Sequence, residues 1–141
     1  SILSRKKPFA IPSGEHPSYQ RERSSMQPEE RDKAYLWDML DAAKAIRSFT
    51  DAMSYEQYLH DRKVQMAVER ALEIIGEAAR KVSDKTKAGQ PAIPWKPIIA
   101  QRNVLAHEYG EIKQDRLWVV VKNHIPALID DLEKIIPPTN P

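Results

Sequence analysis

Apolar residues recur every three or four positions along most of the chain beyond residue 27, a spacing that places them on one face of an α-helix. The first of these stripes predicts a helix over about 29–51, with Pro28 tolerated in its first turn. Ser54 and Gln57 have the spacing of a capping box, which predicts a short helix that ends near Leu59.

The next stripe predicts a longer helix over roughly 61–83. Its apolar face is wider than one neighbouring helix needs, which favours a central position in the fold or a part in a dimer surface. The other side of this helix carries charged residues at the spacings of intrahelical ion pairs, and we expect them to face solvent. These residues are Glu73, Glu77, Arg80 and Lys81.

Residues 85–94 contain one glycine and two prolines, and we predict a loop there. Trp95 opens the following helix, whose apolar positions continue to about His107, and Gly110 is well placed to stop it.

A last apolar stripe predicts a helix that Asp115 caps, that Pro126 bends or divides in two, and that Pro137 and Pro138 end. No segment alternates convincingly between apolar and polar residues as a strand would. Four main helices plus a short one, joined by short links, predict an all-α fold, an up-and-down helical bundle.

The chain has 141 residues, which is the length of one domain. Residues 1–27 are rich in Pro and Ser and carry a charge of +3, so we interpret them as a flexible arm or as an upstream or vector-derived extension. The bundle domain is expected over 28–138. Residues 28–141 hold 17 basic and 18 acidic residues. Because this part has no broad excess of positive charge, any RNA contact must come from a local cluster or from a site shared between subunits.

Several function classes are excluded by what the sequence lacks. It has no cysteine, hence no disulfide, thiol nucleophile or Cys-based zinc site. Its four glycines form neither a phosphate-binding loop nor a dinucleotide fingerprint, and its histidines have no metal-ligand spacing, so neither cofactor nor metal is expected. A membrane span and an export signal are not supported by any apolar run. We expect a cytoplasmic protein.

The candidate chemistry lies in the run from Arg102 to Tyr109. Arg102 presents a planar fork of donors that matches a phosphate, and His107 can exchange a proton near neutral pH. Tyr109 adds a hydroxyl that can be modified. Polar groups at a helix end are common, and on spacing alone an ordinary helix terminus explains them better. Arg102 and His107 lie roughly 140° apart around an ideal helix. A two-fold dimer would bring them together more readily than one copy can.

Four segments in order resemble the HepT type of HEPN ribonuclease toxins. They lie in the first helix, in the long third helix, before the fourth helix and at its end: Tyr35–Leu40, Leu72–Ala79, Ile93–Lys96 and Arg102–Tyr109. The resemblance covers roughly residues 29–136, nearly all of the predicted bundle.

The resemblance implies a metal-independent endoribonuclease that cleaves cellular RNA (tRNA or mRNA) as the toxin of a type VII-like toxin–antitoxin pair. The residue types themselves predict that His107 acts as general base or acid, that Arg102 stabilises charge on the phosphate and that Asn103 orients the phosphate or the imidazole. The resemblance further implies a homodimer with the two motifs facing each other in a cleft. It also implies a partner, a minimal nucleotidyltransferase antitoxin that silences the toxin by adding AMP to Tyr109. Two other functions stay open: a non-catalytic helical adaptor, and a nucleotide-binding regulatory subunit of a nucleotidyltransferase.

Overall fold

The computed structural model describes residues 27–107 and 112–136. Within these ranges the chain forms α-helices joined by short links, with a π-helical segment near the end. The helices are α1 (Pro28–Thr50), α2 (Tyr55–Leu59), α3 (Arg62–Lys81), α4 (Asp84–Gly89), α5 (Trp95–His107), α6 (Gln114–Val119), a π-helical segment (Val120–His124) and α7 (Ile125–Ile135). The predicted arm, the stop at Gly110 and the end at Pro137 and Pro138 lie outside the described residues.

The core lies around α1, which packs along both α3 and α7. The predicted apolar stripes supply it: Met39, Ala43 and Ile46 of α1 face Val68 and Ile75 of α3, and all five are almost completely buried. The prediction of an all-α bundle of four main helices is confirmed within the described residues. None of their helices is long and apolar enough to cross a membrane.

Side chains cap the starts of α2 and α3, and the cap of α2 is the predicted capping box. The Ser54 hydroxyl accepts from the Gln57 backbone N–H (3.1 Å), and the Gln57 side chain accepts from the Ser54 N–H (2.8 Å), which together make the capping box of α2. Asp61 accepts from the Val64 N–H at 3.1 Å and caps α3. Each cap satisfies backbone donors that the first helical turn would otherwise leave without a partner.

The prediction of a loop over 85–94 is wrong in its first half, because α4 occupies Asp84–Gly89. The Ser83 side chain caps this helix by accepting from the Thr86 N–H. Asp32 of α1, which is buried, then accepts from the Ser83 N–H (3.0 Å), the Ser83 hydroxyl (2.6 Å) and the Thr86 hydroxyl (2.5 Å). A carboxylate distant in sequence therefore fixes the start of α4 against the beginning of α1.

The last predicted helix starts at Gln114, two residues earlier than a cap at Asp115 implies, and Asp115 does not cap it. Lys113 occupies the cap position without a side-chain hydrogen bond, and Asp115 lies in the first turn. Near Pro126 the helix changes from a π-helical segment to α7, and its backbone stays helical on both sides of the change. Proline has no N–H and its ring crowds the carbonyl four residues earlier, so a wider turn relieves the crowding.

Candidate active site

Helix α5 crosses α3 at Gly76, in close contact. A Cβ atom placed on Gly76 would lie 2.1 Å from Cβ of Arg102, 2.9 Å from its Cγ and 3.0 Å from the carbonyl oxygen of Ile98. Only glycine leaves room for this approach. Gly76 therefore determines how close the backbone at Arg102 comes to α3.

The crossing brings the Arg102 guanidinium to Glu77, the residue next to Gly76. Nη2 of Arg102 lies 2.9 Å from Oε2 of Glu77, and Nη1 donates to Oδ1 of Asn103 at 3.1 Å. The side chain of Arg102 keeps 24% of its surface exposed, so an anion can reach it from solvent. Two of the three predicted catalytic residues, Arg102 and Asn103, are thus in direct contact.

Glu77 is the centre of a cluster of positive charges. Its Oε1 accepts from Nη2 of Arg80 at 2.7 Å and lies 3.6 Å from Nζ of Lys81. Its Oε2 is buried and accepts no aligned hydrogen bond, although Arg102 is close to it. The contact with Arg102 is therefore an ion pair in which the N–H does not point at the oxygen.

Burial alone would raise the pKa of Glu77, but the hydrogen bond and charge of Arg80, with the charges of Arg102 and Lys81, hold this pKa below its usual value. Glu77 is therefore ionised at neutral pH. The expectation that Glu77 faces solvent is wrong, since its side chain is only 18% exposed. The predicted pairing with Arg80 and Lys81 is confirmed.

His107 is the last residue of α5, five positions after Arg102; its backbone is described and its side chain is not. Tyr109 lies outside the described residues. The roles of His107 and Tyr109, and the catalytic roles of Arg102 and Asn103, stay predictions.

Gln114, seven residues after His107, makes two side-chain hydrogen bonds to earlier helices. Its side-chain oxygen accepts from the Tyr58 hydroxyl at 2.6 Å, and its nitrogen donates to Oε2 of Glu69, also at 2.6 Å. Burial, with the nearby charge of Glu69, raises the pKa of Tyr58 to about 12. Gln114 thus attaches the start of α6 to α2 and α3.

Among the residues with described positions, no group of three or more His, Asp or Glu side chains could hold a metal ion. The groups at the crossing of α3 and α5 are instead a guanidinium, a carboxylate and an amide. They can bind and orient an anion, and they need a proton donor or acceptor nearby to break a phosphodiester bond.

Comparison with protein families gives a match over residues 39–135 to the family described as "Ribonuclease HepT-like". This range contains the whole crossing of α3 and α5. The chain belongs to the HepT-like family.

Similar proteins agree with this assignment. A Thermococcus cleftensis protein named "Probable ribonuclease HepT" is 41% identical over 103 residues, which are 73% of this chain and 94% of that protein. Two Methanocaldococcus jannaschii proteins whose names describe them as candidate RNases are 37% and 38% identical, over 101 and 104 residues. These stretches are 72% and 74% of this chain and 93% and 86% of those proteins. No solved structure gives a significant match.

The sequence predicted Arg102 and Asn103 as candidate site residues, and it did not single out Gly76 and Glu77, which contact Arg102 in the structure. A glycine inside an otherwise apolar helical stripe was the available signal, because such a glycine usually has a packing reason. Glu77 gave no comparable signal, because its burial comes from a different helix.

Proposed function

We propose that this HepT-like chain is a metal-independent endoribonuclease, the toxin of a toxin–antitoxin pair. The observation that carries the proposal is the fixed guanidinium of Arg102, held between Glu77 and Asn103 five residues before His107. Similarity to proteins with ribonuclease names supports the same assignment.

Each residue of the candidate site has a proposed role in the reaction. In the proposed reaction the ribose 2′-oxygen attacks the adjacent phosphorus and the bond from phosphorus to the 5′-oxygen breaks. His107 takes the 2′-OH proton or returns a proton to the leaving 5′-oxygen. Arg102 stabilises the negative charge that builds on the phosphoryl oxygens, and Asn103 orients the phosphate or the imidazole. Glu77 acts as a positioning residue, since it holds Arg102 and does not itself touch RNA.

A homodimer is part of the proposal. Helix α5 packs mainly along α3 and leaves apolar side chains on its outer side. Val104 of α5 is 48% exposed, and Ile74 and Met66 of α3 are 36% and 56% exposed. We propose that a second copy covers these side chains and brings a second Arg102 towards the first.

The dimer can be tested with one variant and a matched control. Val104→Asp should give a monomer by sedimentation and lose RNA cleavage, because the charge would be buried in the interface. Val119→Asp, at a position equally exposed on α6, should remain a dimer. A Val104→Asp protein that stays dimeric and active would remove this surface as the interface.

The activity can be tested with purified protein, total RNA and EDTA, with the ends of the products mapped. We expect cleavage without added metal, leaving 2′,3′-cyclic phosphate and 5′-hydroxyl ends. Arg102→Ala and His107→Ala should each abolish it and stay folded. Arg116→Ala in α6 and His124→Ala in the π-helical segment remove the same residue types from exposed positions and should be fully active.

The other outcomes point elsewhere. Full cleavage by Arg102→Ala or His107→Ala, or a strict need for divalent metal, would contradict the proposed site. Partner-protein binding without cleavage would indicate a helical adaptor. Tight mononucleotide binding without RNA turnover would indicate a regulatory subunit of a nucleotidyltransferase.

We further propose that a partner nucleotidyltransferase silences the toxin by adding AMP to Tyr109. The family resemblance supports this, and so does charge: an anionic adduct two residues after His107 would compete with RNA phosphate for Arg102. Co-expression with such a partner should add AMP to Tyr109, and Tyr109→Phe should remain toxic and unmodified. Tyr55→Phe, at an exposed tyrosine, is the control. AMP mapped to another tyrosine would exclude Tyr109 as the switch.

A further inference from the structure

Positive charge is concentrated in the stretch that leads up to the site. Residues 77–102 hold six Lys or Arg and two Asp or Glu, a net charge of +4. The remainder of residues 28–141 holds eleven basic and sixteen acidic residues, a net charge of −5. A nearly neutral domain therefore has one strongly basic region, and Arg102 is its last residue.

The fold joins this region into a continuous surface. From Arg102, the contacts run through Glu77 to Arg80. Nζ of Lys87 then donates to the backbone carbonyl of Arg80 at 3.3 Å, which places α4 next to the end of α3. Cationic side chains thus continue from the candidate active site to the end of the bundle where α4 lies.

The start of α5 completes the surface. Lys87 and Lys96 line the same shallow groove of about 560 Å³ together with the acidic residue Asp84, and its apolar part includes Ile93, Pro94 and Trp95. Lys96 lies six residues before Arg102, about 9 Å along the axis of α5. Lys85 and Lys96 are both exposed.

We propose that Arg80, Lys85, Lys87 and Lys96 form a phosphate track that holds the RNA strand beside the scissile bond. This inference rests on the proposed ribonuclease function. An RNA strand whose scissile phosphate binds Arg102 must also place its neighbouring phosphates within reach of nearby cations. Lysines bind phosphates as flexible point charges without reading the bases. The track therefore supplies affinity for any single strand, and the apolar groove offers space for a base or ribose.

The test uses the triple variant Lys85→Gln, Lys87→Gln and Lys96→Gln, which removes three charges and leaves Arg102 and Glu77 unchanged. The matched control is Lys44→Gln, Lys63→Gln and Lys134→Gln, which changes the net charge equally at positions outside the basic region. Both proteins are first compared with the wild type by circular dichroism and thermal unfolding. If the track triple is unfolded, Lys96→Gln alone is measured in its place.

The substrates are a 20-nucleotide RNA that the wild type cleaves and the shortest fragment that spans the same bond. For single-stranded RNA, a plot of the logarithm of the binding constant against the logarithm of the salt concentration falls with a slope of about 0.7 per phosphate contact. Loss of three contacts should therefore lower the slope by about 2 and raise KM for the long RNA on the order of 100-fold at 0.1 M salt. Neither kcat nor cleavage of the short fragment should change, and the control triple should match the wild type.

Failure of the track and failure of the function give different results. Active wild type with an unchanged KM and salt slope in the track triple overturns the track and leaves the ribonuclease intact. Wild type that neither binds nor cleaves RNA overturns both proposals. A triple with normal RNA kinetics that no longer binds a partner nucleotidyltransferase assigns the basic surface to that protein, which also overturns the track.

Discussion

Substitution of Gly76 by alanine tests whether the close crossing of α3 and α5 positions Arg102. The added Cβ would lie 2.1 Å from Cβ of Arg102 and 3.0 Å from the Ile98 carbonyl oxygen. Carbon atoms pack at about 3.5–4.0 Å, so the two helices must separate by on the order of 1 Å. Neither contacted atom belongs to the flexible end of a side chain, so rotation of the arginine does not relieve the contact.

The expected loss of stability follows from two opposing effects. Overpacking of this kind costs about 1–3 kcal/mol, while alanine is favoured over glycine in a helix by about 1 kcal/mol. Because the contacted groups are a Cβ and a backbone oxygen, we expect the overpacking to be the larger effect and the net loss to be about 1–2 kcal/mol. With a urea dependence of about 1–3 kcal/mol per molar, the midpoint should fall by roughly 1 M.

The expected loss of activity is larger than the loss of stability. A misplacement of about 1 Å in a catalytic group can reduce a rate roughly 100-fold, and Arg102 moves with α5. We expect Gly76→Ala to cleave RNA at about a hundredth of the wild-type kcat at a temperature where it is fully folded. Urea unfolding and RNA cleavage measured on the same preparation separate the two effects.

Gly89→Ala is the matched control, because a Cβ at Gly89 would have no atom within 4 Å. This variant should be fully active and no less stable than the wild type, with a gain of up to about 1 kcal/mol. If Gly76→Ala keeps the wild-type urea midpoint and cleavage rate, the close approach is not needed and the argument from Gly76 to Arg102 fails.

Three further changes test other contacts. Burial would raise the pKa of Asp32, but hydrogen bonds from Ser83 and Thr86 lower it. Asp32→Asn should therefore reduce the free energy of unfolding by about 1–3 kcal/mol at pH 7. The difference in stability between the variant and the wild type should shrink as the pH falls below 3.8, the usual pKa of an aspartate. The pKa of Tyr58 is raised from 10.0 to about 12, so between these pH values the tyrosine loses its proton more readily in the unfolded chain. The free energy of unfolding of the wild type should therefore fall over this range by at most about 1.4 kcal/mol per pH unit. Tyr58→Phe should abolish this pH dependence in alkaline unfolding experiments. Glu77→Gln should lower kcat roughly ten- to hundred-fold, because Arg102 loses the group that orients it. It should also lower KM for RNA, because the carboxylate no longer competes with the RNA phosphate for Arg102. A variant with the wild-type kcat would contradict the positioning role.

The helices could be predicted from the sequence because their apolar stripes are regular and their caps are local. Ser54 with Gln57 is a local signal that needs nothing from the rest of the fold. Helix α4 was missed because Asp32, 51 residues before Ser83, secures its start. Gly89 is the last residue of α4, and Pro91 and Pro94 follow it. The residues that suggested a loop therefore lie at or after the end of this helix.

The site was only half predictable, for a physical reason. A helical period identifies which residues share a face of one helix, and on that basis Glu77 belongs to the polar side of α3. Whether that side is covered depends on where α5 crosses it, and the crossing point is fixed by the small residue at position 76. Gly76 and Glu77 therefore act together: the glycine admits the backbone of Arg102, and the adjacent carboxylate holds its charge. With any larger residue at 76 the same Glu77 would be further from the arginine, and the motif would keep its residues while losing their arrangement.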